Sequence, residues 1–204
     1  MITHVLFDLG GVVCRFDHER RLEAFAAATA LPPAEVHARL WDSGFSRECD
    51  EGRHDAASMH ARANELLGTD LARGDLERLW AAAFEVDPAV LEAVHHLPSH
   101  VGRAVLSDNP PLLLDALERW LPDVPRTFAP VLFSHALGAT KSAAEAFIEA
   151  LTHLEAAPAN VLFIDDSPAN VEAALALGIE ALRYTDAPSL RRDLARRGLE
   201  EPRL

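Results

Sequence analysis

Positive charge is scarce in this 204-residue chain: 19 Lys and Arg stand against 32 Asp and Glu, a formal net charge of −13. That deficit excludes wrapping nucleic acid on a basic face or lying on an anionic membrane, both of which need clustered cations. Cysteine is rarer still, with Cys14 and Cys49 alone. They have no CxxC spacing and no Cys/His cluster around them, which argues against a zinc site or a disulfide framework and fits a reducing cytoplasm. No run of about 18 apolar residues is present to cross a bilayer. The N-terminus enters directly on a strand-like apolar run without a charged leader, so a soluble, unprocessed protein is expected. Lysine is almost missing: of the 19 basic side chains 18 are arginine, and the one lysine is Lys141. In a chain otherwise committed to the planar guanidinium, it marks a position where a compact ammonium is wanted.

At this length the chain suits one α/β domain, alone or with a smaller insertion, and can bury a substantial core. It opens on VLFDLGGVV at 5–13, with a strand expected over about residues 3 to 8. From 18 to 86, HERRLEAFAAATA, PPAEVHARLW, DAASMHARANELLG and GDLERLWAAAF repeat apolar residues three and four apart, the helix period. Pro32 and Pro33 mark a helix start, Gly68 a helix end and Asp75 a helix cap. No β-like run is expected inside this block. Beyond it, helices at 88–97, 111–120, 142–154, 168–177 and 187–197 alternate with strands at 103–108, 129–135, 160–166 and 179–184. Short apolar strands alternating with helices predict a Rossmann-like, three-layer α/β core whose parallel sheet is covered on both faces. The helical block then becomes an insertion after the first strand. Residues 1–14 and 87–204 are expected to form the core, and 15–86 a helical cap over the site.

Open parallel sheets bind ligands at the carboxyl ends of their strands. The residues that end these runs are Asp8, then Ser107 with Asp108, then Asp165 with Asp166, and Lys141 stands in the loop before a helix. Carboxylates crowded together repel unless protonated or bridged by a cation, and an all-oxygen donor set suits Mg²⁺. A metal site is therefore expected from Asp8 and the Asp165/Asp166 pair. A phosphate supplies the missing partner. Ser107, Asp108, Lys141 and the N–H groups of the glycine turn at Gly11 are expected to hold it, since glycine lets the backbone approach closely. Asp8 is placed to attack phosphorus and form an aspartyl-phosphate. Each residue also has a plainer role: a turn for Asp8 or Ser107, a helix cap for one of Asp165 and Asp166, a solvated charge for Lys141. Their joint order at strand ends is what points to a site.

That order resembles the haloacid dehalogenase superfamily, whose members are mostly Mg²⁺-dependent phosphatases. FDLGGVV carries Asp8, VLSDN carries Ser107, LGATKSAAEAF carries Lys141, and VLFIDDSPANVEAALALGI carries Asp165, Asp166 and the downstream Asn170. The resemblance implies a nucleophilic Asp8, a helical cap in 18–86 and a small phosphorylated metabolite as substrate. The DLG opening is similar to that of sugar-phosphate phosphatases of the superfamily, glucose-1-phosphate phosphatase among them.

One position departs from the pattern. The superfamily's phosphatases usually carry a second Asp two residues after the nucleophile, to protonate the leaving alcohol and then activate water, and here that residue is Gly10. The family's metal takes a backbone carbonyl at this position, which glycine retains, so Gly10 is expected to keep the metal and lose the proton donor. A general acid/base contributes about 10²–10⁴ in rate, roughly 3–5 kcal/mol of barrier. Anomeric, acyl or aryl phosphates, whose leaving groups need least protonation, should suffer least. Arg47, Glu48, Asp50, Glu51, His54 and Asp55, clustered in SRECDEGRHD, are candidates to replace the acid, with a solvated loop the plainer account. Trp41, Phe45 and Arg47 are candidates to face a pocket, with packing or surface the plainer account. Two other functions fit part of the pattern: a 2-haloacid dehalogenase, whose aspartate attacks carbon without a metal and which also lacks the second acid, and a phosphate-ligand-binding protein with negligible turnover. The Asp165/Asp166 pair disfavours the first, because without a metal it repels a carboxylate substrate. The filled catalytic positions disfavour the second.

Overall fold

A computed structural model describes residues 1–200 of the chain. HVLF forms β1 (His4–Phe7), the central strand of a five-stranded sheet ordered β5-β4-β1-β6-β7. Its partners are β4 (Gly102–Ser107), β5 (Val131–Phe133), β6 (Val161–Asp165) and β7 (Glu180–Arg183). Every pairing in this sheet is parallel, and Leu6 lies opposite Ala104 on one side and Phe163 on the other. All five residues of β6 are buried, as a parallel strand sandwiched between helix layers requires.

Successive side chains enter different layers. Val5, Phe7, Val105, Leu162 and Ile164 join one apolar cluster, and Leu6, Ala104, Leu106 and Phe163 join another. The second cluster is closed by Phe147 and Ala150 of α10 (Ala144–His153) and Ala174 of α11 (Pro168–Ala176). The first is closed by α6 (Pro88–His95), α7 (Pro111–Trp120) and α12 (Ala187–Arg196). Three of these helices start on the proline whose fixed φ suits the first turn, Pro88, Pro111 and Pro168.

The chain between β1 and β4 folds as α1 (His18–Thr29), α2 (Pro33–His37), a π-helical turn at 38–42, α3 (Phe45–Asp50), α4 (Ala56–Leu67) and α5 (Arg73–Ala81). Asp17 and Asp55 cap α1 and α4 by accepting the N–H groups of Arg20 and Ser58. Asp75 does not cap a helix; it lies within the first turn of α5, whose cap position is Ala72. The block is also not purely helical. An antiparallel ribbon of β2 (Cys14–Phe16) and β3 (Phe84–Val86) brackets it. The alanines before Phe84 extend the helical pattern in sequence, but the Asp17 N–H takes the Ala83 carbonyl at 2.8 Å and the Asp87 N–H takes the Val13 carbonyl at 2.9 Å. Those cross-links convert the end of the run into a strand.

The expected strand at 129–135 is shorter as well. It stops at Phe133 and turns directly into α9 (Ser134–Leu137), while α8 (Asp123–Thr127) precedes it.

The helices of the block do not form a separate core. Phe25, Leu40, Met59, Leu76 and Trp80 belong to the same buried cluster as Val5, Phe7 and Val105. Between α5 and α7, the buried Glu77 carboxylate receives Arg73 Nε at 3.1 Å and Arg119 Nη1 at 3.0 Å. Cys14 and Cys49 are both buried and free. Among the described residues no helix is long and apolar enough to cross a membrane. Residues 201–204, grouped above with the core, lie outside the described residues.

Candidate active site

β1, β4 and β6 all point their carboxyl ends to one edge of the sheet, so the residues that leave these strands converge. Asp8 follows β1, Ser107 ends β4 and Asp165 ends β6. Three donors meet on one oxygen of Asp8: the Leu9 N–H at 2.8 Å, the Ser107 hydroxyl at 2.6 Å and Lys141 Nζ at 2.7 Å. Asp8 Oδ2 takes no donor among the described residues, and Asp8 lines an open cleft of about 230 Å³. The oxygen left over is therefore the one a ligand can reach.

Lys141, 2 % exposed, bridges two carboxylates: the same Nζ lies 2.7 Å from Asp165 Oδ2. Asp165 is saturated, since its Oδ1 also accepts the Ser167 N–H at 2.8 Å and Asn170 Nδ2 donates to both oxygens at 3.2 and 3.1 Å. Burial raises the Asp8 carboxyl above its ordinary range, and the ammonium beside it only partly offsets this. Burial by itself lowers Lys141, but Asp8, Asp165 and Asp108 outweigh it and hold the ammonium firmly charged. One cation thus serves several carboxylates, and the edge remains electronegative.

Asp166 completes the acidic set. It is exposed, and its carboxylate accepts nothing from the protein among the described residues. One oxygen each from Asp8, Asp165 and Asp166 lie within 4.8 Å of one another. This all-oxygen cluster, with free valence on Asp8 and Asp166, fits a hard divalent cation. Gly11 makes the cluster possible: at φ +89° it takes a conformation costly to other residues, and a Cβ there would overlap the Asp166 carboxylate.

Two expected phosphate contacts have partners within the protein. The Gly11 N–H donates to the Cys14 carbonyl at 2.7 Å, closing the turn, so it is not a donor aimed at a ligand. Asp108 borders the cleft, but its Oδ1 accepts the Lys141 backbone N–H at 2.9 Å. A carboxylate is an acceptor, and this one fixes the loop that delivers Lys141. Ser107 and Lys141 remain in the cleft wall with Gly10 and Asn170.

The cleft also contains residues that the sequence did not single out. Asn109, inside the quoted VLSDN, donates to Ser107 Oγ at 3.0 Å and its own N–H takes Ser134 Oγ at 3.1 Å. Phe16 and Phe84 come from the ribbon and form the apolar wall. They pack edge to face with centroids 5.2 Å apart. A Cβ on Gly10 would meet Phe84 Cε1 at 3.2 Å and Phe16 Cδ2 at 3.4 Å. No signal marks these rings in sequence, because three-residue strands are too short to show a period.

Trp41 and Phe45 pack as the plainer account expects: Trp41 stacks on Trp80 at 5.5 Å, and Phe45 is buried. Arg47 is a surface charge 3.9 Å from Glu51. In the same charged stretch Arg53 pairs with Glu51, His54 with Glu48, and Asp55 caps α4. Asp50 differs from these neighbours, because its Oδ1 is buried without a partner.

Comparison with known proteins agrees with this geometry. A D-ribitol-5-phosphate phosphatase of Bacteroides thetaiotaomicron is 26 % identical over 207 residues, covering 95 % of this chain and 97 % of that protein. Among solved structures, a HAD-like family hydrolase from Porphyromonas gingivalis superposes with a TM-score of 0.80 at 24 % identity, over 98 % of this chain and all of its own. A HAD family enzyme of Bacteroides thetaiotaomicron, solved in complex with magnesium and inorganic phosphate, gives a TM-score of 0.75 at 20 % identity, over 91 % of this chain and 95 % of that one. The haloacid dehalogenase-like hydrolase family matches residues 2–178. With its parallel sheet and its Asp8, Ser107, Lys141 and Asp165 brought to one edge, the chain belongs to the haloacid dehalogenase-like hydrolase family.

Proposed function

We propose that the protein is a Mg²⁺-dependent phosphatase of a small sugar phosphate, working through an aspartyl-phosphate on Asp8. The observation that carries this is the Lys141 ammonium, 2.7 Å from both Asp8 Oδ1 and Asp165 Oδ2, within an acidic cluster too negative to hold a phosphate by itself. The likeness to a D-ribitol-5-phosphate phosphatase and to a magnesium- and phosphate-bound enzyme of the family supports the same substrate class and metal.

Asp8, Asp166 and the Gly10 carbonyl would hold Mg²⁺ directly, with Asp165 committed to Lys141, Ser167 and Asn170. When bound, the ion neutralises the carboxylates and withdraws charge from the phosphoryl oxygens. Asp8 Oδ2 attacks phosphorus in line with the leaving oxygen. The Asp8–phosphorus bond forms as the ester P–O bond breaks. Lys141 and the Ser107 hydroxyl orient the phosphoryl oxygens, and the leaving oxygen takes its proton from water because Gly10 offers none. A second water then attacks phosphorus, releasing inorganic phosphate and restoring the Asp8 carboxylate. Residues 15–86, as a cap over the sheet edge, supply the rest of the pocket wall through Phe16 and Phe84.

The test is phosphate release from sugar, nucleotide and p-nitrophenyl phosphates, with Mg²⁺ and with EDTA, using Asp8→Asn as control. Turnover that needs Mg²⁺ and disappears in Asp8→Asn is expected. Chloride release from 2-chloropropionate in EDTA would instead identify a dehalogenase. Tight phosphate-ester binding with no turnover would identify a binding protein.

A further inference from the structure

Two side-chain atoms of the helical block, Arg21 Nε and Asp50 Oδ1, are buried without hydrogen-bond partners. Arg21 of α1 is 4 % exposed, and its Nε has no acceptor. Its guanidinium is caged by aromatic rings, 5.2 Å from the Phe16 centroid, 5.4 Å from Phe84, 5.6 Å from Trp41 and 5.9 Å from Trp80. Asp50, at the end of α3, buries Oδ1 with no donor. The two attract each other electrostatically without forming an ion pair. A donor and an acceptor are thus each buried without a partner, and such groups call for an explanation in a native structure.

Both are tied to the cleft. Phe16 and Phe84, on which Arg21 stacks, line it, and Phe16 is 48 % exposed there. Asp108, the carboxylate acting most strongly on Asp50, lines it too. Two residues beyond Asp50, Gly52 packs so tightly on the His135 carbonyl that a Cβ would overlap it. His135 Nδ1 in turn donates to the carbonyl of cleft-lining Asn109 at 3.0 Å. The C-terminal end of α3, which carries Asp50, is therefore pinned to the cleft rim.

We propose that Arg21 and Asp50 form a hydroxyl-binding subsite for the leaving-group end of a polyol or sugar phosphate, the Arg21 Nε–H donating to a substrate hydroxyl and Asp50 Oδ1 accepting from one. A hydroxyl both donates and accepts, so it can serve the two orphaned groups together. A phosphate, an acceptor, is repelled by Asp50, and an ammonium is repelled by Arg21. Phe16 and Phe84 offer an apolar face to the carbon chain. This assignment rests on the phosphatase activity proposed above.

The experiment compares ribitol 5-phosphate with n-pentyl phosphate, and glucose 1-phosphate with cyclohexyl phosphate, so that each pair differs chiefly in its hydroxyls. The wild type is expected to favour at least one hydroxylated member by 100-fold or more in kcat/KM. Asp50→Asn and Arg21→Lys should each cut that preference at least tenfold, mainly through KM. Equal losses on both members of a pair would reduce the two residues to a structural role. An unchanged preference, or a wild type without one, would also overturn the subsite. Turnover of p-nitrophenyl phosphate with Mg²⁺ in those cases keeps the phosphatase reading intact. No turnover of any ester removes both.

Discussion

Phe84 occupies the space into which a side chain on Gly10 would grow, its Cε1 atom 3.2 Å from the site of a Cβ. A side chain at this position would therefore meet a steric barrier. Gly10→Asp should destabilise the fold by about 1–3 kcal/mol through overpacking and give little gain on alkyl phosphates. Gly10→Asp with Phe84→Leu should recover stability and raise turnover on poor leaving groups by up to about 10²-fold. Thermal unfolding and kcat on alkyl and aryl phosphates check both; equal behaviour of single and double variants would refute the steric account.

Lys141→Met should abolish turnover and leave Asp8 and Asp165 facing each other without their shared cation. Removing one partner of a buried ion pair typically costs 3–5 kcal/mol. Mg²⁺ should restore part of that loss, because it can replace the lysine as counter-ion. Denaturant unfolding with and without Mg²⁺ measures the recovery, and its absence would contradict a metal site at Asp8.

Mg²⁺ should stabilise the wild type by about 2.7 kcal/mol at a concentration 100 times its Kd. Asp166→Asn should weaken this more than Asn170→Ala, since Asp166 has open oxygens and Asn170 only props Asp165. Isothermal titration with Mg²⁺ alone separates the two. A larger loss in Asn170→Ala would assign the direct contact to Asp165.

Asp50 titrates at about 7 rather than 3.8, raised first by burial and then by Asp108, with Arg21 opposing. Between these pH values the folded protein keeps a proton that the unfolded chain has released, so stability contributed at this site falls as pH rises from about 4 to about 7. Asp50→Asn should remove that slope and stabilise the protein at pH 8 by roughly 2–4 kcal/mol. Unfolding curves at pH 5.5 and 8 test it. The same slope in wild type and variant would assign the titration to other groups, such as Asp8 and Asp108, which burial also raises.

The sheet and its edge were legible because both depend on local signals. Short apolar runs ending in Asp8, Ser107 and Asp165 are strands of a parallel sheet wherever helices intervene, and parallel strands bring such ends together. The ribbon was not legible: Ala81 to Phe84 continue a helical pattern in sequence, and only contacts with the distant Asp17 and Val13 set Phe84–Val86 as a strand. The charged stretch SRECDEGRHD was legible as a surface but not in its exception. Asp50 buries Oδ1 while Glu51 and Arg53 pair with each other, and no composition reveals which member of a charge run does so. Gly10 and Gly11 read alike in sequence, yet one makes room for aromatic rings and the other for Asp166.

The Glu77 clamp between α5 and α7 bears on how the enzyme spends its time. A helical layer that shares its core with the sheet and whose buried Glu77 carboxylate takes Arg119 across from α7 is expected to act as a fixed wall. Admission would then depend on the width of a standing doorway, with no large swing against solvent drag in the catalytic cycle. On that account kcat should be indifferent to added glycerol or sucrose viscosity.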